Sequence, residues 1–168
     1  AQTMINMPMN LLAQSVSQVF FGEIARFGKN NPEKIYKLTI SIIKKLFFLS
    51  IGPIGILMIF GPWIFKVVFG PEWYDAGLYA RYLSLIIIAR FISNPLGNIF
   101  LVFEKQDIQL TLNVIRTILV VIIFLFCRYM KLTPLNTILV FSVLLMLYRL
   151  VIIYTALNLI KAKMKMKS

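Results

Sequence analysis

Three arginines interrupt this 168-residue chain where it is otherwise oily: Arg90, Arg116 and Arg149. The first lies in SLIIIARFISNPLGNIF (84–100), with Asn94 and Asn98 at i+4 and i+8 and with Ser93, Pro95 and Gly97 beside them. At about 100° per residue, Arg90, Asn94 and Asn98 share one helix face. Gln109, Asn113, Arg116 and Thr117 form a second polar stripe. Ser142 and Arg149, at i and i+7, form a third with Ala156. A fourth is uncharged: Asn6, Asn10, Gln14 and Gln18, each four residues from the last. A guanidinium offers two parallel hydrogen bonds from a planar fork, which fits phosphate. Amides and hydroxyls on the same stripes suit sugar hydroxyls. The simplest expectation is a shared aqueous cavity of positive potential. Its substrate-binding residues would be Arg90, Arg116, Arg149, Asn94, Asn98, Asn113, Gln14 and Gln18. For the uncharged stripe, hydrogen bonding between packed helices is an equal alternative.

An arginine at mid-membrane costs about 2.5–3.5 kcal/mol on insertion scales. The six acids, Glu23, Glu33, Glu72, Asp75, Glu104 and Asp107, all fall in or beside loops. None can neutralise the three arginines at depth within this chain. They must meet water, backbone carbonyls, carboxylates elsewhere, or an anionic ligand. The chain has no histidine, which removes the commonest general base and metal ligand. No nucleophile–base pair, phosphate loop or zinc spacing is present, so the sequence points away from an enzyme, a cofactor or a metal site. The lone cysteine, Cys127, gives no disulfide framework.

The elements that must hold these residues are membrane helices. The chain is 60% hydrophobic, and apolar runs recur at 46–60, 83–102, 114–127 and 138–157. Each approaches the ~20 residues that cross a ~30 Å hydrocarbon core. None alternates as a barrel strand would. The expected fold is an all-α polytopic transmembrane bundle of about five helices: 3–27, 33–60, 76–103, 108–130 and 135–160. A helix over 33–69 would be too long for one span, so Gly61-Pro62 is expected to break it, leaving an interfacial piece at 63–69. Gly52-Pro53 and Gly55 are expected to kink the span. Arg81, near a helix end, reads as an interface anchor. A basic tail follows at 161–168.

The net charge of +12 reads as membrane topology rather than nucleic-acid binding. Arg26, Lys29, Lys34, Lys37, Lys105, Lys161, Lys163, Lys165 and Lys167 fall on one side. Only Arg128 and Lys131 fall in the loops of the other. The first side, with the C-terminus, is therefore expected to be cytoplasmic.

Three stretches, in this order and spacing, carry a family resemblance: SVSQVFFGEIAR (15–26), FGPEWYDAG (69–77) and NPLGNIFLVFEKQ (94–106). With them the chain resembles the C-terminal half of polysaccharide or O-antigen repeat-unit flippases of the multidrug/oligosaccharidyl-lipid/polysaccharide exporter superfamily. The resemblance implies twelve helices in two six-helix lobes, of which this chain would supply helices eight to twelve. The partners would be the N-terminal lobe, membrane lipids and a lipid-linked oligosaccharide. The activity implied is movement of undecaprenyl-pyrophosphate-linked oligosaccharide across the bacterial cytoplasmic membrane. The family carries no strict catalytic signature, so no site residue transfers from it. Two other readings stay open. One is a structural or assembly subunit whose arginines pair with partner carboxylates. The other is a drug or cation exporter, which would want intramembrane acids that this chain lacks.

Overall fold

The computed structural model describes the backbone from Gln2 to Met166 and side chains from Gln14 to Met166. Among the described residues it is all helix and short turns: α1 (Gln2–Phe27), α2 (Pro32–Phe69), α3 (Tyr74–Ser93), α4 (Gly97–Val102), α5 (Gln106–Tyr129) and α6 (Pro134–Lys165). A single 3-10 turn, Pro71–Trp73, joins α2 to α3. Four segments are long and apolar enough to cross a membrane: Pro32–Phe69, Pro71–Val102, Gln106–Tyr129 and Pro134–Lys165. The 26 residues of α1 have the length for a fifth, with more polar residues along them. The protein is an all-α membrane helix bundle.

Turn chemistry sets the joints. Gly28 ends α1 at φ 61°, its N–H donating to the carbonyls of Ile24 and Ala25. A side chain there would be strained, as at many glycine-terminated helices. Pro32 then opens α2, and Glu33 sits in its first turn, where the helix dipole favours a carboxylate. Thr133 caps α6, its hydroxyl accepting from the Asn136 N–H at 3.4 Å.

The expected break at Gly61-Pro62 does not occur. α2 runs unbroken for 38 residues with Pro53 and Pro62 inside it, roughly 57 Å at 1.5 Å per residue. The reason lies in α3. Gly77 approaches so closely that a Cβ there would stand 2.5 Å from the Cα of Pro62 and 2.8 Å from the Gly61 carbonyl oxygen. One turn further on, Arg81 donates from Nη2 to the Ile59 carbonyl at 2.6 Å. The proline step is thus supported by a neighbouring helix, and Arg81, expected as an interface anchor, also clamps α3 to α2.

α6 is also longer than expected. It stays helical through Lys165, absorbing most of the stretch read as a tail. Ile160 is fully buried, Met164 packs on the same core, and the Lys161 ammonium lies 5.8 Å from the Tyr36 ring. The main apolar core gathers here, at the lysine-rich end, from Phe20 and Ile24 of α1, Ile35 of α2, Leu96, Ile99, Phe100 and Phe103 around α4, and Ala156 and Ile160 of α6. Lys29 and Glu104 pair across the loops at this end, and the lysine holds the Glu104 carboxyl below the usual carboxylate range. A smaller cluster, Leu46, Phe91 and Ile92, lies between α2 and α3. By contrast α5 buries only Ile123 and Cys127 among its residues.

Candidate functional site: a cationic cavity between α3, α5 and α6

The site begins at the α3–α4 break. Pro95 has no N–H to give the Phe91 carbonyl. Through this stretch the backbone turns with i to i+3 bonds: Leu96 N–H to Ser93 at 3.2 Å, Gly97 to Asn94 at 3.3 Å and Asn98 to Pro95 at 3.2 Å. The helix resumes as α4. Arg90 and Ser93 occupy the last turn before the break, and Asn94 occupies the break itself.

Arg90, Arg116 and Arg149 converge. All three line a cavity of about 450 Å³ whose other walls include Ile86, Val120, Phe141 and Leu145. The same three line a second, adjoining cavity of about 260 Å³ with Ser93, Asn94, Gln109, Asn113 and Tyr148. A third, of about 420 Å³, continues along Asn94, Asn98, Gln106, Gln109 and Asn113. Shared residues make these one run of space. Its lining passes from apolar, through the arginines, to amides at the start of α5. No aspartate or glutamate lines any part of it.

Local bonds position the charges. Arg149 donates from Nη1 to the Ser93 hydroxyl at 3.4 Å, and that hydroxyl donates to the Arg90 carbonyl at 3.3 Å. Tyr148 donates to the Leu112 carbonyl at 2.7 Å, tying α6 to α5 one turn before Arg116. Phe124 of α5 and Phe141 of α6 meet with ring centroids 5.6 Å apart. Arg149, Arg90 and Arg116 line the same two cavities, so three like charges share one space. Among the described residues no carboxylate lines these walls, so the lining carries an excess of positive charge.

Five of the eight residues expected at the site, Arg90, Arg116, Arg149, Asn94 and Asn113, meet in the central part. Asn98 has a divided role. It lines the amide end, while its Nδ2 donates to the Ser17 carbonyl at 3.0 Å and hydroxyl at 2.9 Å, joining α4 to α1. Gln14 and Gln18 are exposed and are not among the residues lining these cavities. The side chains of Asn6 and Asn10 lie outside the described residues. Ser142 is fully buried, and its hydroxyl has no hydrogen-bond partner among the described residues. Sequence reasoning missed Gln106 and Tyr148. Gln106 was readable as one more amide a turn before Gln109. Tyr148 sits in an apolar run with no spacing signal.

Among the described residues no three His, Cys, Asp or Glu side chains gather as a metal site. Comparisons with protein families, with curated proteins and with solved structures give no match to the chain. The fold defines a polytopic α-helical membrane protein in which three arginines line one run of space between α3, α5 and α6.

Proposed function

We propose that this chain is part of a transporter that moves an undecaprenyl-pyrophosphate-linked oligosaccharide across the bacterial cytoplasmic membrane, for surface polysaccharide assembly. The observation that carries the reading is the convergence of Arg90, Arg116 and Arg149 on one carboxylate-free run of space. A pyrophosphate would meet three guanidiniums from three helices. Each charged hydrogen bond contributes about 1.5–3 kcal/mol against a water-solvated alternative. Sugar hydroxyls would meet Asn94, Gln109 and Asn113. The lysine-rich end would lie in the cytoplasm, so the amide end of the cavity would face the compartment where such donors are made. The order of the three quoted stretches supports the same family reading.

The test uses the full-length protein in cells that depend on it for surface polymer. Arg90, Arg116 and Arg149 are changed singly to Ala and to Lys, and polymer and membrane abundance are measured together. Ala variants should lose polymer at unchanged abundance, and Lys variants should retain part of it. Normal polymer in all three Ala variants refutes the reading. Loss of abundance along with polymer would instead show arginines paired with carboxylates of a partner segment.

A further inference from the structure

The apolar end of the cavity is not explained by an anion alone. Ile86, Val120, Val121, Phe141 and Leu145 line the 450 Å³ part, in direct continuity with the three guanidiniums. Val121 also stands 53% exposed on the outer surface of α5, a helix that is apolar and largely uncovered. The chamber therefore adjoins a surface of the kind that meets hydrocarbon. A small aqueous anion at the arginines would leave this apolar wall wet. An anion carrying a hydrocarbon chain would fill both parts.

Three uncompensated charges at membrane depth also need a counterion between turnovers. In that setting phosphate arrives most abundantly on membrane lipid, delivered laterally and already at the interface. We propose that the site holds a resident anionic phospholipid: its phosphate lies between Arg90, Arg116 and Arg149, and one acyl chain lies in the chamber of Ile86, Val120, Phe141 and Leu145. The glycerol headgroup of phosphatidylglycerol fits the adjoining amides, Asn94, Gln109 and Asn113, which offer both donors and acceptors. A transported substrate would then enter by displacing this lipid. The inference rests on the arginines being a phosphate site, and adds the chain-binding half and the ambient ligand.

The experiment is native mass spectrometry of the full-length protein, stripped of lipid by detergent exchange and then titrated with phosphatidylglycerol, phosphatidylcholine or inorganic pyrophosphate. One phosphatidylglycerol per protein should resist stripping and rebind in preference to phosphatidylcholine. Each of Arg90→Gln, Arg116→Gln and Arg149→Gln should weaken it about tenfold or more. Leu145→Trp and Val120→Phe, which fill the chamber, should weaken lipid binding while leaving pyrophosphate binding intact. Two results overturn the inference but leave the anion site standing: pyrophosphate binds and no phospholipid is retained, or the chamber variants keep their lipid. Retention of lipid by the triple Gln variant also overturns it. Binding of neither ligand by the wild-type protein overturns the anion site as well.

Discussion

The close approach of α3 to α2 at Gly77 gives a sharp prediction. Gly77→Ala would place a Cβ 2.5 Å from the Pro62 Cα, where ordinary contact begins near 3.4 Å. Both atoms belong to helical backbone, so no flexible side-chain end can give way. α2 and α3 must part by about 0.9 Å, the difference between those two distances. That movement stretches the Arg81–Ile59 bond from 2.6 Å to about 3.5 Å, beyond useful geometry. Overpacking costs roughly 1–3 kcal/mol. Loss of a charged hydrogen bond adds roughly 1.5–3 kcal/mol. Better helix propensity returns at most about 1 kcal/mol. A net loss of about 2–5 kcal/mol is expected. Thermal unfolding in detergent, followed by size-exclusion fluorescence, measures it. Gly52→Ala is the control, since nothing lies within 4 Å of a Cβ there, and it should be neutral or slightly stabilising. Because Gly77→Ala already breaks the Arg81 bond, Arg81→Met should cost much less in that background than in wild type. A Gly77→Ala protein as stable as wild type, or strictly additive effects of the two changes, refutes the reasoning.

Further outcomes are expected. Tyr148→Phe removes the bond to the Leu112 carbonyl and should cost about 0.5–1.5 kcal/mol; the same unfolding assay reads it, and an increase in protease cutting within α5 should accompany it. Asn98→Ala removes two bonds to Ser17, so cysteines introduced on facing positions of α1 and α4 should crosslink more slowly than in the parent. The Glu104 carboxyl is held below its ordinary range by Lys29, so its small stabilising contribution is present above about pH 4.5 and fades as pH falls through the lowered value. Wild type should therefore exceed Glu104→Gln in melting temperature at pH 7, and the gap should narrow as pH falls; a gap that does not narrow in acid contradicts the pairing.

Much of the site was legible because helical spacing is rigid. Arg90, Asn94 and Asn98 fall on one face by arithmetic, and charges without local acids must share space with water or anions. That logic brought five of the eight expected residues to the central cavity. It did not settle what α1 faces, because a polar stripe does not say which neighbour it meets: Gln14 and Gln18 are exposed and off these cavities, while Ser17, off the stripe, makes the contact with Asn98. It broke α2 at Gly61-Pro62, because propensity is local and the support comes from Gly77 and Arg81, fifteen and nineteen residues beyond Pro62. It ended α6 early because alternating lysines read as a solvated tail. Yet Ala156, Ile160 and Met164 repeat every four residues and pack on the core, a periodicity that was present and outweighed by charge.

The interruption at Asn94-Pro95 has a mechanical side. It divides a path from Tyr74 to Val102 into a long arm and a short one. Arg90 stands five residues from the pivot, and Tyr74 stands twenty-one, roughly 8 Å and 31 Å at helical rise. A bend of roughly 10° at Pro95 would shift the backbone at Arg90 by roughly 1 Å and that at Tyr74 by roughly 5 Å. Because Gly77 and Arg81 lock α3 to α2, the far end of α2 would travel too. The geometry is that of a lever with its load beside the fulcrum: an ångström of rearrangement at Arg90 becomes several ångströms of displacement at the far end of α3.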